Sequence, residues 1–222
     1  KLIKLMREHL DWISIDVLFE KVNNLSYLNE KFFINTEQDQ YSSDFCIIAS
    51  GTEANNIPTL EIKDEFADRI FYEVYPLSEV TDKTIAIIGA GDAAFDYALN
   101  LSQNNNVIIL NRTDRTRCLP LLRHRCSQKS NITYEEYITV EKISLTDDKL
   151  LLNCKFFNEP KEIFADYLLI AVGRSPALGF IDKSVQDREE DLEKSGRLFY
   201  AGDVQNELYR QASIAIGNGI KA

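Results

Sequence analysis

Two short runs in this chain carry residue types that suit one another chemically. In the first, Gly89-Ala90-Gly91-Asp92-Ala93-Ala94, two glycines are separated by one residue and a small residue closes the run. Gly89 permits a tight turn, Gly91 lets the backbone approach a phosphate, and Ala94 replaces a third glycine where a helix must lie closely on a strand. In the second, Asn111-Arg112-Thr113-Asp114-Arg115-Thr116-Arg117, Arg112 and Arg117 offer two guanidiniums to an anion. The free N–H groups and positive dipole end of a helix start, here Asp92 and Ala93, also favour anions.

The elements needed to position these runs surround them. Thr84 to Ile88 is a β-branched apolar run that reads as a buried strand, Ala93 to Leu101 has helical spacing, and Val107 to Leu110 is a second apolar strand. Together they make a dinucleotide-binding βαβ unit. At the end of its second strand an NAD site commonly carries a carboxylate for the ribose 2′-hydroxyl. Asn111 and Arg112 stand there instead, with Arg117 beyond, which favours NADP(H) over NAD(H).

The totals narrow the function. A chain of 222 residues is long enough for one large domain or two small ones. A net charge of −10 argues against broad nucleic-acid or anionic-membrane contact, so the basic stretch from Arg112 to Lys129 reads as a local anion site in an acidic protein. Cys46, Cys118, Cys126 and Cys154 form no CxxC, and His9 and His124 lie far apart, so no structural metal is expected. No apolar run approaches membrane-spanning length and no signal-peptide pattern opens the chain, which points to a reducing, cytoplasmic setting. The chain opens at Lys1, already inside an amphipathic helical pattern, and further residues are expected before it.

Along the chain, Ile13 to Phe19, Lys21 to Leu25 and Phe32 to Thr36 alternate as strands of a meander. Asp44 to Thr52 is a continuous apolar strand ending at Gly51, the pattern of a parallel strand buried on both faces, and Ala165 to Gly173 repeats it. Domain crossings are expected near Asp68 and Asp166. Ile132 to Ile143 and Lys149 to Phe157 read as strands, and Asp182 to Lys194 as a solvated loop or surface helix. Gly196 to Val204 is a short strand entering a turn, and Leu208 to Ala222 a helix.

Four motifs then stand in a fixed order: IIASGT at Ile47 to Thr52, GAGDAA at Gly89 to Ala94, IAVGRSP at Ile170 to Pro176, and AGDV with YRQA between Ala201 and Ala212. Their order resembles the thioredoxin reductase-like members of the FAD- and NAD(P)-dependent pyridine nucleotide-disulfide oxidoreductases. Asn111 to Arg117 is similar to that family's HRRDxFRA 2′-phosphate motif, with Arg112 and Arg117 retained and Thr113 in place of a further arginine. The resemblance implies an α/β fold of two Rossmann-like dinucleotide-binding domains, the FAD domain split by an inserted NADP(H) domain. Residues 1–67 and 167–222 would form the FAD domain, and residues 68–166 the NADP(H) domain. Asp203, with Gly202 and Val204, would meet the ribityl or pyrophosphate part of FAD. Arg210, Gln211 and Ala212 would line its isoalloxazine, and Gly51, Thr52 and Gly173 would complete the cofactor-binding set. A homodimer is implied as well.

Two departures from the family stand out. Its opening GxGxxG unit, which holds the FAD pyrophosphate, is absent from this sequence. Its redox dithiol would fall on Glu73 to Pro76, where Tyr72 is kept and Glu73 and Pro76 replace both cysteines. Glu73 and Tyr72 occupy the region where a catalytic group would stand, and no thiolate is available there. Cys118 and Cys126 lie among arginines that would favour thiolates if exposed. The expected activity is hydride transfer from NADPH to FAD, with electrons leaving directly to ferredoxin or flavodoxin, a quinone, oxygen or a small disulfide. The alternative is a non-catalytic member that binds NADP(H) or FAD as a regulatory ligand.

Overall fold

The computed structural model of the chain describes residues 2–13, 15–206 and 209–222, with the side chains of residues 2 and 3 excepted. It divides into two compact units, Lys1–Thr52 with Pro176–Ala222, and Glu53–Ser175.

The first unit opens with α1 (Leu2–Ile13) and a stretch, residues 15–21, without regular structure. Strands β1 (Val22–Leu28), β2 (Lys31–Thr36) and β3 (Gln40–Ser43) follow as an antiparallel sheet in that order. Asn29 and Glu30 close the first hairpin, both with positive φ, which matches the twist of a two-residue turn. Alternation along β1 sends Leu25 and Tyr27 into the core with Phe32. Among the described residues of the range Ile13 to Phe19 no strand forms, and Ile15, Leu18 and Phe19 are exposed rather than packed. Strand β4 (Cys46–Ile48) is shorter than the apolar run that contains it. Ile48 is buried, whereas Phe45 and Ile47 are exposed, so the expectation of burial on both faces is corrected. Among the described residues β4 pairs with one strand only, and its outer face lacks a covering layer.

The chain leaves this unit through β5 (Thr52–Ala54) and returns through β14 (Arg174–Pro176), which pair with each other. These crossings fall earlier and later than the expected Asp68 and Asp166. The reason is burial: Leu60 and Phe66, inside an otherwise polar stretch, belong to the core of the second unit, as do Leu168 and Ile170.

The second unit is built on a five-stranded parallel sheet. Its strands are β6 (Ile70–Phe71), β7 (Thr84–Ile88), β8 (Asn106–Leu110), β9 (Ile132–Glu135) and β13 (Tyr167–Ile170), in the order β6-β13-β7-β8-β9. Helix α2 (Asp92–Leu101) joins β7 to β8, and α3 (Pro120–Ser127) joins β8 to β9. Strands β10 (Ile138–Thr146), β11 (Lys149–Phe156) and β12 (Glu159–Ala165) form an antiparallel sheet before the chain re-enters at β13. Alternation along β7 divides the core: Ile85 and Ile87 join Ala94, Phe95, Ala98 and Leu101 of α2, while Ala86 joins Ile143, Leu150 and Leu152 of the antiparallel sheet. The four buried residues of α2 fall at the i, i+1, i+4, i+7 spacing of one helical face. Buried Asn105 ends this helix, its Nδ2 donating to the carbonyls of Leu101 and Val80 and its Oδ1 accepting from Lys83 N–H.

Back in the first unit, α4 (Lys183–Gln186) and α5 (Glu189–Lys194) carry the charges expected of a surface segment and also bury Val185 and Leu192. Asp182 caps α4, accepting from Ser184 N–H at 2.8 Å. Strand β15 (Leu198–Tyr200) runs parallel to β4, and α6 (Ala212–Lys221) closes the chain. The helix expected from Leu208 begins at Ala212; Leu208 itself lies outside the described residues.

The two glycines of the nucleotide turn are held for different reasons. At Gly89 φ is +141°, and an added Cβ would stand 2.2 Å from the Ala171 carbonyl oxygen at the end of β13. At Gly91 the backbone is extended, with φ −94° and ψ −180°, and an added Cβ would meet nothing within 4 Å. Gly89→Ala is therefore expected to destabilise the chain by about 2–4 kcal/mol through backbone strain and overpacking. Gly91→Ala should cost less than about 1 kcal/mol, the loss of a tolerable helix cap. Urea unfolding of both variants checks the contrast, and equal losses would contradict it.

Candidate nucleotide and flavin sites

The turn after β7 is held from three sides. Gly89 N–H donates to the Leu110 carbonyl at 3.1 Å, Ala171 N–H donates to the Ile88 carbonyl at 2.8 Å, and Arg117 N–H donates to the Ala90 carbonyl at 2.9 Å. The last bond is part of a parallel bridge between Gly91 and Arg117. The structure thus brings the second run of the sequence back against the first. Asp92 strengthens the join, its Oδ1 accepting from Leu119 N–H at 2.6 Å. Ala93 is exposed at the helix start, and Ala94 is fully buried, where its small side chain lets α2 lie on the sheet. Open space at Gly91, in front of the first N–H groups of α2, is what a pyrophosphate needs.

The arginine run forms an ordered loop. Arg112 and Arg117 are exposed, while Asn111 is only 5% exposed. Its Nδ2 donates to the Arg115 carbonyl at 3.0 Å and to Tyr134 Oη at 2.9 Å, and its Oδ1 accepts from Thr113 N–H at 3.3 Å. Sequence reasoning placed Asn111 where a ribose contact would stand. These internal bonds went unseen, because the partner Tyr134 is set by the β8–β9 register.

Glu73, where the resemblance sets the dithiol region, belongs to an ion pair. Glu73 bonds Arg174 of the IAVGRSP motif, and Tyr97 Oη donates to Glu73 at 3.4 Å. The Tyr97 phenol is pushed above its ordinary range first by burial and then by the Glu73 charge. Tyr72 Oη donates to Asn56 Oδ1 at 3.3 Å. Gly173, with φ +109°, lies beside the Asn55 side chain in this second unit.

In the first unit the motif residues converge on an open cleft of about 510 Å³, lined by Ala49, Gly51, Gly202, Asp203, Arg210 and Gln211, with Ala212 and Ala215 of α6. Gly51 and Gly202 both have positive φ, +69° and +78°, as their turns require. Gln211 is the residue before α6, whose first N–H groups face the cleft through Ala212. Arg210 Nε donates to the Asn206 carbonyl at 3.2 Å. Neither Val204, buried in the core of the unit, nor Thr52, which begins the crossing strand β5, lines the cleft.

Two of the four thiols are buried. Cys126 is buried, its Sγ 3.5 Å from the Phe95 carbonyl, and burial pushes its thiol from 9.0 up to about 11. The exposure on which an arginine-favoured thiolate depends is therefore not met at Cys126. Cys154 is likewise buried and raised to about 11. Among the described residues no cluster of three or more His, Cys, Asp or Glu could hold a metal, and no helix is long and apolar enough to cross a membrane. Because both thiols stay protonated in the folded chain and ionise earlier in the unfolded one, their stabilising effect is complete below pH 9.0 and lost as pH rises towards about 11. Iodoacetamide at about pH 8 should leave Cys126 and Cys154 unmodified. Mass spectrometry reads the outcome, and labelling of either under native conditions would contradict it.

Comparison with known proteins adds an independent line. The family model described as pyridine nucleotide-disulphide oxidoreductase matches residues 8–198. The chain is 27% identical to the thioredoxin reductase of Chlamydia pneumoniae over 241 aligned positions, covering 99% of this chain and 76% of that protein. The crystal structure of Lactococcus lactis thioredoxin reductase superposes with a TM-score of 0.82 at 22% identity, covering 100% of this chain and 77% of that one. Bacillithiol disulfide reductase from Staphylococcus aureus is similar at 27% identity and a TM-score of 0.64, over 82% of this chain and 57% of its own. The glycine turn and the arginine loop fall inside the stretch matched by the family model, and the chain belongs to the pyridine nucleotide-disulphide oxidoreductase family.

Proposed function

We propose that this chain forms the nucleotide- and flavin-binding parts of an NADPH-dependent FAD oxidoreductase whose electrons leave without a CxxC relay. The observation that carries this reading is the bridge between Gly91 and Arg117, which brings a two-arginine loop beside a helix start with open space at Gly91. Gly91 and the first N–H groups of α2 would hold the pyrophosphate, and Arg112 and Arg117 would hold the 2′-phosphate of NADP(H). In the other unit, a cleft of this size with Asp203 on one wall suits part of an FAD molecule. Bound FAD would supply a two-electron acceptor for the nicotinamide hydride and a donor to the next partner. The N–H groups at the start of α6 would favour negative charge in the cleft, and Arg210 would add a cation to its wall.

Glu73 and its ion pair with Arg174 leave no thiol at the dithiol position, so the acceptor is taken to receive electrons directly. The proposal extends to a protein acceptor such as ferredoxin or flavodoxin, or to a quinone, oxygen or a small disulfide, and to a homodimer in a reducing cytoplasm. Four free cysteines suit that compartment. The same ion pair favours a second reading, a nucleotide-binding regulatory member without turnover, because a structural bond stands where the family has its redox chemistry.

Anaerobic mixing of the FAD-loaded protein with NADPH or NADH separates the two readings. The flavin absorbance band should bleach rapidly with NADPH and far more slowly with NADH, and Gly91→Ala should weaken NADPH binding while leaving the fold intact. A flavin that stays oxidised with both nucleotides would sink the hydride-transfer reading and leave the regulatory one.

A further inference from the structure

We propose that Asn111 is a positioning residue for coenzyme selectivity: it holds the arginine loop in its 2′-phosphate-binding shape without touching the nucleotide. The inference rests on the reading of Arg112 and Arg117 as 2′-phosphate ligands. Every polar group of Asn111 is engaged within the protein. Its N–H donates to the Glu135 carbonyl at 2.9 Å, its carbonyl accepts from Ile138 N–H at 2.8 Å, and its amide serves Arg115, Thr113 and Tyr134. No N–H donor remains to offer a ribose. The side chain that follows the strand is instead turned inward, into the loop that carries the guanidiniums.

The loop is tied at both ends. At its start Asn111 closes residues 111–115, with Thr113 Oγ1 accepting from Arg115 N–H at 3.2 Å inside the closure. At its far end Arg117 N–H bonds the Ala90 carbonyl and Leu119 N–H bonds Asp92. Tyr134, which receives the Asn111 amide, is itself fixed. Its ring lies 5.6 Å from Phe95 of α2, and Arg123, paired with Glu136, stands 5.5 Å above it. The one carboxylate inside the run, Asp114, lies near the Tyr137 phenol, which burial first and then the Asp114 charge push above its ordinary range. Arg112 and Arg117 are long, exposed side chains, and a backbone that wandered would add an ordering cost each time they closed on a phosphate. A buried amide with all its bonds made removes that cost before ligand arrives.

The test is fluorescence titration of the full chain with NADPH and with NADH, comparing wild type, Asn111→Ala and Tyr134→Phe. Asn111→Ala should lower the NADPH-over-NADH affinity ratio about tenfold by weakening NADPH alone, and Tyr134→Phe, which removes only the acceptor hydroxyl, about threefold. A wild-type protein that does not prefer NADPH would overturn the arginine reading itself. A preference that survives in both variants would overturn the positioning role and leave the arginine reading standing. Equal weakening of both nucleotides would show a general structural role and also overturn it. If Asn111→Ala fails to fold, Tyr134→Phe decides the question, since it keeps the ring and its packing.

Discussion

The carbonyl of Ala171 lies so near Gly89 that no side chain fits between them, and the second unit is arranged around that approach. It exists because β13 enters the sheet beside β7, in parallel register from Tyr167 opposite Ile85 to Ile170 opposite Ile88. The two strands end level, so their turns meet. One turn leads into α2 and frees its first N–H groups, while the other leads to Arg174 and the crossing strand β14. Moving β13 by a single residue would turn Leu168 and Leu169 to the wrong faces and bring a different atom to Gly89. Packing of the sheet between α2 and the antiparallel sheet therefore fixes the shape of the phosphate opening.

Charge acts on top of this frame. In a chain with ten more acidic than basic groups, an anion is drawn only where cations are gathered and held. The loop after β8 does both, since its backbone is bonded to the glycine turn and to buried Asn111 while its guanidiniums stay exposed. At Glu73 charge acts differently, since it is paired with Arg174 within the protein.

The βαβ unit was legible in the sequence because each of its parts has a local signature: a β-branched run, a glycine spacing, and a helical face of Ala94, Phe95, Ala98 and Leu101. The cleft in the first unit was legible for the same reason, from short motifs at Gly51, Gly202 and Arg210. What escaped depends on contacts between distant residues. Glu73 and Arg174 are 101 positions apart, and Asn111 and Tyr134 are 23 apart and meet only through strand register. The domain crossings were misplaced because Leu60 and Phe66 sit in a charged stretch whose composition hides two core residues. Likewise the burial of Val204 and Cys126 depends on packing partners far along the chain.

The central claim is that the turn at Gly91 and the loop from Asn111 to Arg117 form one preshaped site for NADP(H). A crystal structure of the protein with NADP⁺ bound tests it most directly. The account predicts the pyrophosphate over Gly91 at the start of α2, the 2′-phosphate between Arg112 and Arg117, and the Asn111 side chain still bonded to Arg115 and Tyr134. A nucleotide bound elsewhere, or one whose 2′-phosphate points away from both arginines, would contradict it.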